Sequence, residues 1–121
     1  MSTQPNQAAP QPTPTQHTLV ECHTMADVRR GVDALDDILV PLLVQRASYM
    51  TQAARIKQHA DQVRDEDRIQ TIVDRVRART VAEGGPPDVL EAIYRSLMEV
   101  CIDFEHQEFA RLRANAAKGA L

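Results

Sequence analysis

From Val28 to Ile56, residues suited to burial recur at alternating steps of four and three: Val28, Val32, Leu35, Leu39, Leu42, then position 46, Tyr49, Ala53 and Ile56. That beat marks an α-helix with one buried seam. It constrains the fold more than any other feature, because a helix running from about Thr24 to His59 is roughly 50 Å long and its seam needs cover. The sixth slot breaks the pattern, since it holds Arg46. Arg29 and Lys57 flank the two ends of the same run. An unpaired guanidinium in a low-dielectric seam is very costly, so either the helix has a poor core or the seam holds an anion.

The rest of the chain points to a helical protein. Its 121 residues suit one domain, and two Tyr, two Phe and no Trp leave an aliphatic core. Few stretches alternate with a period of two, which favours an all-α fold. A net charge of −3 gives no basic footprint for nucleic acid. No apolar run is long enough for a membrane span. Cys22 and Cys101 form no spacing motif, and His17, His23, His59 and His106 are scattered, so no zinc pattern arises. The first residues show no positive segment followed by an apolar one, which makes the cytoplasm the expected compartment. Residues 1–20, rich in Pro, Gln and Thr, are expected to form a disordered tail; residues 21–121 form the helical domain.

Three helices are expected. Thr24 is a suitable N-cap for the first, with Asp27 in its first turn. Pro41 should kink this helix without ending it, because the beat stays in register across it. A polar connection, residues 60–64, leads to a second helix from Asp65 or Glu66 to Glu83, with the stripe Ile69, Ile72, Val73, Val76 and Thr80. Gly84-Gly85-Pro86-Pro87 stops it, glycine serving a left-handed cap and proline blocking continuation. The third runs from near Pro87 to near Asn115, with the stripe Leu90, Ile93, Tyr94, Leu97, Met98, Cys101, Glu105, Glu108 or Phe109, and Leu112. Glu105 is the second charged residue in an apolar slot.

Geometry then suggests a shared site. A compact domain of this size has a radius of gyration of about 13 Å, so the first helix overhangs any core the chain builds alone. An exposed seam of that length is an association surface, and a homodimer covers it most simply. Arg46 and Lys57 are eleven residues apart, which is three turns and about 20°, with Cα atoms roughly 16 Å apart. They can close on one small anion. Arg29 lies about 25 Å from Arg46 along the axis, so it reaches that anion only from a partner subunit.

The segments Val28–Asp36, Leu42–Arg46, Arg55–Lys57 and Val63–Arg68 resemble the all-helical chorismate mutases, and the likeness runs from about Thr24 to Arg113. The resemblance implies an intertwined three-helix homodimer whose two sites each take an arginine from the other subunit, here Arg29. It implies the Claisen rearrangement of chorismate to prephenate, an isomerase reaction of aromatic amino acid biosynthesis that needs no metal, cofactor or covalent nucleophile. Arg46, Lys57 and Arg68 match the remaining cationic positions, and Lys57 is the candidate donor to the breaking ether oxygen. Arg46, Lys57 and Glu105 form the expected catalytic group. Arg29, Asp65, Arg68, Ile69 and Cys101 complete the substrate-binding set, with Cys101 only lining the site.

Two positions depart from the family pattern. Glu105 stands where a glutamine commonly donates to the ether oxygen, and a glutamate donates only when protonated. Ile69 stands where many mutases carry a glutamate for the ring hydroxyl, a task that falls otherwise to a backbone amide near Asp65. An apolar residue there is similar to the isochorismate-pyruvate lyases, which release salicylate and pyruvate. A non-catalytic helical dimerisation module is the third reading. In it, Arg46 would pair with Glu105 or Asp36, Lys57 and Arg68 would be solvated, and Glu105 would snorkel to the surface.

Overall fold

The structure is a computed structural model that describes residues 21–119. The expected tail, residues 1–20, lies outside them. Three α-helices make up the described fold: α1 (Met25–Ile56), α2 (Glu66–Ala82) and α3 (Pro87–Gly119). A single 3-10 turn, Ala60–Gln62, sits between α1 and α2. The described residues contain no strand.

Local chemistry sets the helix ends. Thr24 and Asp27 form a reciprocal capping box: the Asp27 N–H donates to Thr24 Oγ1 at 3.1 Å, and the Thr24 N–H donates to Asp27 Oδ2 at 3.2 Å. The helix then runs unbroken through Pro41. It ends at Ile56, short of the expected His59. Gln62 explains the early stop, because its side-chain oxygen accepts the N–H of Gln58 at 2.9 Å and of His59 at 3.0 Å. Those amides would otherwise have continued the helix. At the start of α2, Asp65 Oδ1 accepts the Arg68 N–H at 3.0 Å. At its end Gly84 adopts φ 77°, the left-handed conformation that glycine takes without strain. α3 overruns the expected Asn115 and reaches Gly119, carried by the good helix formers Ala116, Ala117 and Lys118.

α3 packs against both α1 and α2. The small core joins Ala54 of α1, Val63 of the connection, Val73 and Thr80 of α2, and Met98, Cys101 and Glu105 of α3. All five residues of the expected α2 stripe are buried or half-buried, and of the expected α3 stripe Ile93 alone is exposed. The first half of α1 is different. Val32 is 50% exposed, Leu35 63%, Leu39 48% and Leu42 54%. The seam read from the sequence is therefore bare in the single chain, and only the second half of α1 meets the core.

Candidate functional site

Where the second half of α1 faces α2 and α3, the packing leaves a cavity of about 520 Å³. Arg46, Tyr49, Met50, Ala53 and Lys57 line it from α1, at steps that keep them on one helical face. Gln62, Val63 and Asp65 line it from the connection, Arg68, Ile69 and Ile72 from α2, and Met98, Cys101, Ile102 and Glu105 from α3. Its size suits a small-molecule ligand. Seven of the eight expected site residues therefore share one cavity: Arg46, Lys57, Asp65, Arg68, Ile69, Cys101 and Glu105. Arg29, exposed in the first turns of α1, is not among its lining residues.

The charges inside are unevenly matched. Glu105 is only 4% exposed, and its Oε2 accepts from Lys57 Nζ at 2.7 Å. So Glu105 does not snorkel, and Lys57 is half-buried and paired rather than solvated. Arg46 pairs with neither Glu105 nor Asp36. Its Nη1 donates to the Cys101 thiol at 3.4 Å, and its Cζ lies 5.8 Å from the centre of the Tyr94 ring. A thiol is a weak acceptor, so most of the five guanidinium donors remain uncommitted. The Arg68 side chain has no hydrogen bond or ion pair among the described residues, its backbone N–H alone going to Asp65.

Outside this cavity the arginines divide: Arg55 holds the Gln52 side-chain oxygen, Arg113 holds two backbone carbonyls, and the Arg29 and Arg75 side chains hold no hydrogen bond or ion pair among the described residues. Arg30, Arg64, Arg77, Arg79, Arg95 and Arg111 each hold a carboxylate. One such pair holds Glu108 far below its ordinary range, at about 2, because Arg111 donates two hydrogen bonds to it and Thr51 of α1 a third. Arg46 and Arg68, which line the cavity, have no carboxylate partner among the described residues. The cavity thus presents excess positive charge to whatever enters it. A second cavity, about 650 Å³, shares Arg46 and Arg68 and is lined further by Ile72, Arg75, Val76, Ala78, Arg79 and Tyr94.

Among the lining residues, sequence reasoning left out Met50, Gln62, Val63 and Ile102. Val63 carried a signal, being the one large aliphatic residue in a polar connection; Gln62 carried none, because its role depends on where α1 stops. No group of His, Cys, Asp or Glu among the described residues is arranged to hold a metal ion.

The family model for chorismate mutase type II matches residues 28–106. That span contains all eight expected site residues. A search of curated proteins finds no match to the chain.

Proposed function

Because the chain belongs to the type II chorismate mutase family, we propose that it converts chorismate to prephenate in the α1–α2–α3 cavity. The observation that carries this reading is the pair Arg46 and Arg68, turned to one cavity without carboxylate partners. Chorismate brings two carboxylates, and a guanidinium fork binds a carboxylate through two parallel hydrogen bonds. Holding both ends of the molecule favours the folded conformation in which the new carbon–carbon bond can form. As the ether C–O bond breaks, negative charge grows on its oxygen. Lys57 Nζ donates there and stabilises the transition state more than the substrate.

Glu105 has two roles in this scheme. As a carboxylate it holds the Lys57 amine, the contact present in the structure. To donate to the ether oxygen itself it needs a proton. The third arginine, Arg29, comes from a partner subunit in a homodimer. Two observations support the dimer: the bare apolar seam on the first half of α1, and a second cavity that shares Arg46 and Arg68 with the first. That cavity is edged by Arg75 and Arg79, and α1 carries Asp33, Asp36 and Asp37 within about two turns of Arg29. A partner's first helix entering there would bring carboxylates to those arginines.

Ile69 favours a second reading. It lines the cavity directly after Arg68 and offers no hydrogen bond to a ring hydroxyl. In that reading the substrate is isochorismate and the products are salicylate and pyruvate. Incubating the protein separately with chorismate and with isochorismate decides between them. Prephenate from chorismate is the expected product. Salicylate and pyruvate from isochorismate, without prephenate from chorismate, would replace the mutase by the lyase. Turnover of neither would leave the dimerisation module.

A further inference from the structure

Glu105, Phe109 and Arg113 follow one another at steps of four on α3 and so share one face. That face meets the end of α1. Glu105 takes the Lys57 amine at 2.7 Å. Arg113 takes the backbone: Nη1 donates to the Ala54 carbonyl at 2.6 Å, and Nη2 donates to the carbonyl of Lys57 itself. Lys57 is thus held by α3 at both ends, its amine by one residue and its carbonyl by another.

The grip answers a local deficit. The last carbonyls of any helix lack intrahelical donors. A continuing helix would send the Gln58 N–H to Ala54, but that N–H goes to Gln62 instead. Ala54 is fully buried, so water is a poor substitute. The Arg113 fork supplies two donors in one plane and a positive charge at the negative end of the α1 dipole. Its Cζ lies 3.7 Å from the centre of the Phe109 ring, which further fixes the guanidinium. Arg113 lies beyond residue 106, where the family match ends.

We propose that Arg113 is a positioning residue for Lys57. It fixes the backbone from which the amine is presented, and so sets Nζ against Glu105 and the reacting oxygen. Lys57 has already left the helix, with φ −65° and ψ 144°. Among the described residues no other group donates to its carbonyl, so without Arg113 the last turn of α1 loosens. The proposal rests on the reading of Lys57 as the donor in the reaction proposed above.

Arg113→Met keeps bulk and removes the donors; Arg113→Lys keeps a charge and a donor. Arg113→Met is expected to lower kcat about 10- to 100-fold while KM stays within about threefold, since small misplacements of a catalytic group act on the chemical step. Arg113→Lys should recover part of that loss. The carbon-13 signal of the Glu105 carboxyl, assigned by its disappearance in Glu105→Gln, should shift in Arg113→Met. Arg77→Ala, which cuts ion pairs to Asp88 and Glu91, serves as the stability control and should lower Tm without changing kcat. Should Arg113→Met not fold, Arg113→Lys carries both readouts, with a smaller kcat loss and a smaller signal shift expected. A lowered Tm with kcat and the carboxyl signal both unchanged would overturn the proposal and leave Arg113 a helix cap. If the wild-type protein turns over neither chorismate nor isochorismate, the functional reading fails separately. The carboxyl signal then still decides: a shift supports the grip on Lys57, and no shift overturns it.

Discussion

Arg46 spends almost none of its hydrogen-bonding capacity inside the protein, and that sets what its replacement should do. In Arg46→Ala a substrate carboxylate would be left without its fork. Removing one partner of a desolvated charge pair costs about 2–5 kcal/mol, so kcat/KM should fall about 30- to 1,000-fold or more in steady-state assays. Folding should not suffer, because no internal ion pair is broken; the Tm should hold or rise slightly in a thermal melt. Arg46→Lys keeps the charge without the fork and should fall between the two. Glu105 makes a different prediction. Glu105→Gln places an amide donor beside the ether oxygen and removes the carboxylate that holds Lys57. Retained or raised kcat/KM in steady-state assays would support donation from position 105, and a loss of activity would leave Glu105 as the partner of Lys57.

The helices owe their ends to side chains within a few residues, and those were readable in the sequence: Thr24 with Asp27, Asp65, and the glycine pair after α2. Gly84 is the sharpest of these. An alanine there would have to adopt the left-handed conformation, at a cost of about 1–2 kcal/mol. For a domain of this size Gly84→Ala should lower Tm by roughly 4–16 °C. The pairing of α1 with α3 makes a pH prediction. Arg111 and Thr51 hold Glu108 at about 2, below its ordinary 4.5. A depressed carboxylate stabilises the folded state above its unfolded value, and the contribution disappears as pH falls through the folded one. Melts of wild type and Glu108→Gln should therefore differ most above about pH 5 and converge as pH falls toward about 2. What the sequence hid was contact across helices. The Lys57–Glu105 pair and the hold of Arg113 on α1 join residues 48 and 56 positions apart. No local periodicity encodes which carboxylate meets which cation. The end of α1 was misplaced for the same reason, since a glutamine after the helix intercepts its amides. That Arg46 and Lys57 share a face was legible because helical spacing alone carries them there, whereas Arg68 came only with the family resemblance and Arg29 does not line the cavity.

For the whole molecule, the deciding quantity is the apolar surface on the first half of α1. Fully burying a valine or leucine side chain is worth about 2 kcal/mol, and Val32, Leu35, Leu39 and Leu42 are each about half exposed, so they offer a partner roughly 4 kcal/mol before the cost of association. A site that borrows Arg29 can be tested by mixing. Arg29→Ala and Arg46→Ala are each expected to be nearly inactive. In a mixed dimer of the two, one site keeps both arginines and the other loses both. Subunits exchanged at equal amounts should therefore regain about a quarter of wild-type activity, as random pairing gives mixed dimers half the time. No recovery, with subunit exchange verified by mass, would place Arg29 outside the site.

If a second copy covers the bare seam of α1, as proposed, concentration becomes a variable of the chemistry. A site completed by a second chain exists only while the two are together, so turnover per molecule should decline on serial dilution as dimers separate. Leu35→Asp, a charge set into the seam, should move that decline to higher protein concentrations. A chain built this way would measure its own abundance, synthesis raising the fraction of working sites as well as their number.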